Sequence, residues 1–178
     1  MSLVRAIAHL VEQGLKVRCF ADDLANKDKV YPWIEPAEID KDKKLLGCGP
    51  EDYVQKGQAG KQASVKVLID QTTIRFTVHA ASTAEKNGGE IADEILDRIE
   101  ALFESVKRGK EPVAVIDPVT NEDQHVTGLA FAGRNPLPPD TAGEPFVYGG
   151  SATYRFTHRK YRRRDIDHAI QRVEIRCE

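Results

Sequence analysis

Residues 64–107 read SVKVLIDQTTIRFTVHAASTAEKNGGEIADEILDRIEALFESVK, and this stretch decides the fold. Its first part alternates apolar and polar side chains in two sets, separated by a polar break at Asp70-Gln71. The two sets are Val65, Val67 and Ile69, then Ile74, Phe76 and Val78. A period of two is typical of half-buried strands. The sequence therefore predicts a β-hairpin over residues 64–79, with the polar break between its two strands.

The second part of the stretch changes to helical spacing. Its apolar residues recur at three- and four-residue steps, and they are Ile91, Ile95, Ile99, Leu102 and Val106. Such a stripe predicts an amphipathic helix that buries its apolar face on the preceding hairpin. Ser82 and Glu85 have the spacing of a capping box, and Gly88-Gly89 shifts the start of regular helix towards Glu90.

Segments before this stretch predict a second helix and further strands. The apolar residues of the N-terminal stripe are Leu3, Ile7, Leu10 and Val11. They predict a short helix that ends at Gly14, followed by a strand within residues 16–21. Pro32 and Pro36 flank Trp33 and Ile34, and proline cannot donate a hydrogen bond to a central ladder. This segment is therefore predicted to be an edge strand or an extended loop.

Segments after the long helix complete a sheet. Residues 113–116 and 125–131 predict a second hairpin, and FVYGGSATYRFTHRKY at residues 146–161 predicts a strong strand. The sequence leaves open whether residues 165–178 form a helix or a strand. We expect a single α+β domain over residues 1–178, in which a mostly antiparallel sheet carries the N-terminal helix and the long central helix on one face. Mobile surface loops are predicted at residues 40–62 and 134–146.

Composition narrows the class of protein. A hydrophobic content of 40% over 178 residues is enough for one real core, and the net charge of -2 argues against a general nucleic-acid binder. Cys19, Cys48 and Cys177 are widely spaced without a CxxC pair, so neither a disulfide framework nor a zinc site is predicted. The N-terminus is too polar and too short for a signal peptide, which leads us to expect a soluble cytosolic protein.

Catalytic motifs are absent from the sequence, which has no GxGxxG, P-loop, GxSxG or HExxH pattern. We favour packing at a sheet margin over catalysis for His79 and His158. Trp33 is compatible with a binding anchor or with a cover over the end of the core. We accordingly predict no enzymatic activity, no catalytic residue, no cofactor and no metal ligand.

Charge is distributed unevenly along the chain. The helix carries acidic residues at Glu90, Glu94, Asp97 and Glu104, whereas the last predicted strand ends in Arg159, Lys160, Arg162, Arg163 and Arg164. Both groups fit simple solvated faces. They also fit two complementary patches that meet within one subunit or between copies in a head-to-tail ring, and we mark these nine residues as candidate interface residues. A third interpretation assigns the basic run to nucleic acid.

Three segments together carry a resemblance to a known family. They are LVRAIAHLVEQGL at residues 3–15, TIRFTVHA leading to EIADEILDRIEALFES within residues 73–105, and ATYRFTHRKY at residues 152–161. This arrangement resembles the tail terminator, or tail completion, proteins of long-tailed bacteriophages and related contractile particles. The resemblance leaves out the Lys-rich loop and the proline-rich segment.

The resemblance implies an α+β structural subunit without enzymatic activity or cofactor. It implies a ring, commonly hexameric, that caps the completed tail tube and joins it to the head or neck. The expected partners are further copies of the chain, the tail tube protein and a head or neck connector protein, with no membrane, and with DNA only as it passes through the ring lumen. The expected location is the virion tail or neck, reached from the bacterial host cytoplasm during assembly.

The alternatives are a head-tail connector or another neck protein and, from a different class, a small cytosolic enzyme or a nucleic-acid-binding module.

Overall fold

The computed structural model describes residues 3–21, 30–42, 53–56, 62–108, 113–119 and 123–165. The helices are α1 (Leu3–Leu15) and α2 (Gly88–Arg108), and the strands are β1 (Arg18–Cys19), β2 (Trp33–Asp42), β3 (Tyr53–Lys56), β4 (Gln62–Ala81), β5 (Val113–Ile116), β6 (Asp123–Asp140) and β7 (Val147–Asp165). The strands form one seven-stranded sheet in the order β1-β2-β4-β7-β6-β5, with β3 paired to β4. Only β1 and β2 pair in parallel among the described strands, so the predicted α+β class is confirmed.

β4 is one continuous strand, and the predicted hairpin over residues 64–79 is wrong. β4 pairs with β7 without a register shift from Ala63↔Asp165 to Ala81↔Val147. Asp70 and Gln71 stay in this ladder, and the Gln71 side chain donates a hydrogen bond to Thr157 Oγ1 at 3.4 Å. The apolar residues change from odd to even positions at this point. Because side chains alternate along a strand, that change marks a switch of face and needs no turn.

Helix α2 lies across β4 and β7 and buries one face of the sheet. Its buried residues are Ala92, Ile95, Leu96, Ile99 and Phe103, while Ile91 and Leu102 pack at the margin of the core. The predicted stripe is therefore correct at its centre but omits Leu96 and Phe103. Four aromatic rings from the helix and the sheet meet there, since Phe103 lies 4.7 Å from Tyr154 and 5.5 Å from both Phe76 and Phe156.

The start of α2 differs from the predicted capping box. Asn87 is the N-cap, because its Oδ1 accepts a hydrogen bond from the Gly89 amide at 2.8 Å. Ser82 Oγ accepts a hydrogen bond from the Gly88 amide at 3.0 Å. Glu85 precedes the helix, so Ser82 and Glu85 do not form the predicted capping box. The helix begins at Gly88, close to the predicted start near Glu90.

The end of α1 also differs from the prediction. Gly14 lies inside the helix, and Lys16 adopts the left-handed conformation after it, with φ of 58°. A Cβ at Gly14 would lie 3.1 Å from the Leu102 side chain, so glycine at this position allows α1 and α2 to pack closely. Gly14 therefore allows contact between the two helices and does not end α1.

The segments predicted as loops contain strand residues. Within residues 40–62, Asp40–Asp42 belongs to β2 and Tyr53–Lys56 forms β3, because both segments pair with β4. Within residues 134–146, β6 continues to Asp140 despite its prolines. Proline is tolerated there because β5 pairs with β6 only at residues 123–126, and no described strand covers the outer edge beyond that point.

The other strand predictions are confirmed. β2 is near the edge of the sheet, since β1 pairs only with Trp33 and Ile34. β5 and β6 form the second hairpin, and β7 is the strong strand. Cys48, Cys177 and residues 166–178, whose conformation the sequence left open, lie outside the described residues.

Candidate functional site

An acidic line runs along one flank of α2. Its members are spaced at three- and four-residue steps and are all exposed, and they are Asp93, Asp97, Glu100 and Glu104. This flank faces β6, because Arg134 of β6 reaches its first two members. We call these four residues the acidic flank. It contains the predicted interface residues Asp97 and Glu104, and it adds Asp93 and Glu100, which the sequence analysis did not single out.

Arg134 neutralises the N-terminal half of the acidic flank. Its guanidinium donates to Asp97 Oδ1 at 2.5 Å and to Asp93 Oδ1 at 2.8 Å. These hydrogen bonds, first to Asp97 and then to Asp93, raise the pKa of Arg134. The contacts join residues about 40 positions apart in sequence, and no local pattern indicates them. Asp93 and Asp97 are thus paired with a cation from a strand that is distant in sequence.

Glu90 and Glu94, the other two predicted acidic residues, are also exposed; Glu90, three residues before Asp93, continues this line towards the N-terminus, and Glu94 lies beside it. Glu94 forms an ion pair with Lys86. The predicted acidic surface thus has a part that is paired locally, at Glu94, and a flank that borders β6. Exposed ion pairs of this kind contribute about 0–1 kcal/mol, so neither part is held together strongly by charge.

The basic run lies at the far end of β7. The backbone of Arg159–Arg164 pairs with Ser64–Ile69 of β4, and the side chains of residues 159–165 lie outside the described part. Arg134, which lies on β6 and binds Asp93 and Asp97, pairs in the sheet with Ala152 of β7. Arg162 follows Ala152 by ten positions, which is about 33 Å along an extended strand. Asp93 and Asp97 are therefore distant from Arg162, whereas the C-terminal end of the flank lies nearer to the basic run, because Phe103 packs against Phe156, three positions before Arg159.

An aromatic surface lies between the acidic flank and β6. Phe131 is exposed for 51% of its area, although its ring packs edge-on against Tyr154 at 5.4 Å. Tyr154 is only 3% exposed. Burial raises the pKa of the Tyr154 phenol to about 12. The negative charge of Glu100, and more weakly that of Glu104, adds to this increase, while Arg134 lowers the pKa.

His79 and His158 are packed, as predicted, and Trp33 takes one of the two roles that the sequence left open. His158 is buried, with Nε2 3.2 Å from Thr72 Oγ1. His79 stacks on Trp33 at 4.0 Å and its Nε2 lies 3.3 Å from Glu35. Trp33 is 7% exposed, so it covers the edge of the sheet and does not project as an anchor.

A cavity of about 200 Å³ lies beside α1, between that helix, β1 and Pro118. Cys19 lines it, and burial, reinforced by Glu12, raises the pKa of the thiol to about 12. Such a thiol is a poor nucleophile at neutral pH. At the cavity rim, Arg5 donates to the buried Asp117 carboxylate at 3.2 Å.

No group of three or more His, Cys, Asp and Glu side chains among the described residues is arranged to hold a metal ion. Neither of the two described helices is long and apolar enough to cross a membrane. In comparisons with known proteins, no protein-family model and no curated protein matches the sequence.

Proposed function

We propose that this protein is a structural assembly subunit of a phage or phage-like tail, which forms a ring that caps the tail tube and joins it to the head or neck. The support is the α+β subunit, the resemblance of three segments to tail terminator proteins, and the separation of opposite charges. In this proposal the chain acts through contacts between copies and with the tube.

One observation carries the proposal. The β4-β7 ladder runs without interruption from beneath α2 to the basic run, which starts at Arg159, seven positions or about 23 Å along β7 from Ala152, the partner of Arg134. A side chain cannot span that distance, so the basic run does not neutralise Asp93 and Asp97 within one subunit. Two copies placed head to tail bring them together, and a heterologous contact that closes on itself makes a ring.

The contact requires apolar area as well as charge. Exposed charges are screened over about 8 Å at physiological salt, so they steer association more than they hold it. β6 offers exposed apolar side chains at Phe131 and Leu137. We expect ring formation to weaken with salt without being abolished by it.

The test is reversal of Arg162, Arg163 and Arg164 to Glu, followed by sedimentation and by light scattering with purified tail tubes. Like charges across the interface should prevent both ring formation and tube capping. Reversal of Arg18, Arg75 and Arg155, which are exposed elsewhere, makes the same change in net charge and is the matched control. Its rings should form normally.

Two results would overturn the proposal. One is tube capping by the Arg162/Arg163/Arg164 variant at the level of the unmodified protein. The other is salt-sensitive, sequence-independent DNA binding by the unmodified protein that this variant loses, together with no capping by either protein, because that pattern assigns the basic run to nucleic acid.

A further inference from the structure

One face of the sheet carries no described helix. Side chains of α1 and α2 belong to one buried cluster with Ile74, Phe76 and Phe156, which occupy even positions of β4 and β7. Because side chains alternate along a strand, the odd positions of these two strands lie on the other face. Arg75 and Arg155 occupy such positions, and both are exposed. We call this side of the sheet the open face.

The two arginines are neighbours on the two central strands of the open face. Arg75 of β4 pairs with Thr153, and Arg155 of β7 pairs with Thr73. The arginines are therefore diagonal neighbours, with Cα atoms about 7–8 Å apart. Two cations at this separation repel each other, so an anion that binds both removes an unfavourable interaction.

Neither arginine has an acidic partner within the described part of the chain, whereas three other arginines of that part do bind oxygen atoms. Arg5 and Arg134 bind carboxylates, and Arg98 donates to a backbone carbonyl. The pairing of Arg75 and Arg155 with each other is therefore a feature that contacts among the described residues do not explain.

The positions around the two arginines are small or carry a hydroxyl. Ala37 pairs with Arg75, and Ala130 pairs with Arg155, so neither guanidinium is overshadowed by a large neighbour in the ladder. Thr77 and Thr153 are half-buried on the same face and add hydroxyl donors. The centre of the open face is thus flat, cationic and rich in hydrogen-bond donors.

The acids nearest to this centre lie on the neighbouring strand β2. They are Glu35, which pairs with Thr77, and Asp40, which pairs with Thr73. Glu35 contacts His79 Nε2 at 3.3 Å, and neither acid forms an ion pair with Arg75 or Arg155. The two arginines therefore keep their positive charge available to a partner.

The chemistry of the open face matches a phosphate backbone. Arginine and threonine are among the side chains that contact DNA phosphates, and a guanidinium binds phosphate through two parallel hydrogen bonds. A flat surface without a pocket gives a small free anion little to bind. A ring of subunits repeats the two arginines at every copy, and a continuous polyanion is the partner that can contact all of them at once.

We propose that the open face lines the lumen of the ring and that Arg75 and Arg155 contact the phosphates of double-stranded DNA within it. This deepens the proposed function and rests on it, because the ring supplies the lumen. It also places α2 on the outer side of the ring, since α2 packs on the opposite face of the sheet.

The test combines Arg75→Gln and Arg155→Gln in the full chain and measures binding of a fluorescently labelled, mixed-sequence DNA duplex by anisotropy. These changes should leave ring assembly and tube capping intact and weaken DNA binding at least about tenfold, with a shallower dependence on salt. Arg75→Lys with Arg155→Lys keeps the charge and should retain most of the binding. Thermal melts check that each variant remains folded.

The matched control is Lys16→Gln with Lys86→Gln. Both lysines are exposed outside β4 and β7, so the change in net charge is the same while the open face is untouched. DNA affinity of this control should stay within about twofold of that of the unmodified protein. Equal weakening by the control and by the arginine variant would overturn the proposal, because net charge alone would then explain the binding.

The remaining outcomes separate this inference from the proposed function. Rings that cap tubes but bind no DNA, or that bind it equally well without the two arginines, overturn the inference and leave the proposed function standing. A folded arginine variant that forms no rings, or forms rings that fail to cap tubes, assigns the open face to another copy or to the tube and also overturns it. If the unmodified chain stays monomeric with and without tail tubes, both proposals are wrong.

Discussion

Tyr154 connects the core to the surface at the scale of a single residue. Its ring contacts Phe103, Phe76 and Phe131, while its hydroxyl lies beneath the acidic flank. The folded state binds the phenolic proton more tightly than the unfolded chain does, since burial and then Glu100 and Glu104 raise the pKa of Tyr154 to about 12. The resulting stability is complete below pH 10 and is lost as pH rises towards 12.

We therefore predict a difference between the unmodified protein and Tyr154→Phe in alkaline solution. The free energy of unfolding of the unmodified protein should fall faster above pH 10, with an extra loss of about 1 kcal/mol at pH 11. The measurement is urea unfolding at pH 8, 10 and 11 for both proteins. Parallel loss of stability in the two proteins would show that Tyr154 keeps an ordinary pKa when folded.

Cys19 gives a second prediction at this scale. Burial, reinforced by Glu12, raises the pKa of its thiol to about 12. In a chain with Cys48 and Cys177 replaced by Ser, iodoacetamide at pH 8 should label Cys19 about a hundredfold more slowly in the folded state than in urea. Rapid labelling of the folded protein would mean that the thiol is open to solvent and ionised.

At the scale of the element, the strands show what sequence patterns can predict and what they cannot. Alternation identified the strand residues of β4 and β7, although it divided β4 into two strands. The polar pair Asp70-Gln71 resembled a turn, yet Gln71 is held in the ladder by β7, a strand that is distant in sequence. The prolines of β6 likewise indicated a loop, although an unpaired outer edge accommodates them. Both errors arise because a strand's neighbours are not encoded locally.

The buried face of α2 gives a prediction about this element. Ile95 is buried against the sheet, so Ile95→Asp places an unpaired charge in the core and should unfold the domain, at a cost above about 4 kcal/mol. Ala101→Asp puts the same charge on the exposed side of the same helix and should change stability by less than about 1 kcal/mol. Thermal melts of both variants make the comparison. An unchanged midpoint for Ile95→Asp contradicts the packing of α2.

The charged surfaces belong to the scale of the whole molecule, and the sequence predicts them only in part. Composition indicated an acidic helix and a basic strand end, because runs of like charge are visible without a structure. The contact of Arg134 with Asp93 and Asp97, and the coincidence of Phe131 with Tyr154, depend on the register of β6 against β7.

A mixing experiment tests whether the assembly is head to tail. One variant loses its acidic flank through Asp93→Asn, Asp97→Asn and Glu100→Gln, and the other loses its basic run through reversal of Arg162, Arg163 and Arg164 to Glu. Neither should associate alone. In a mixture, the intact basic run of the first can bind the intact acidic flank of the second, but neither remaining surface can continue the chain. Sedimentation should therefore show particles of twice the 19.8 kDa subunit mass and nothing larger. Mixtures that remain monomeric would show that these two surfaces do not meet, and rings in the mixture would show that other contacts are sufficient for assembly.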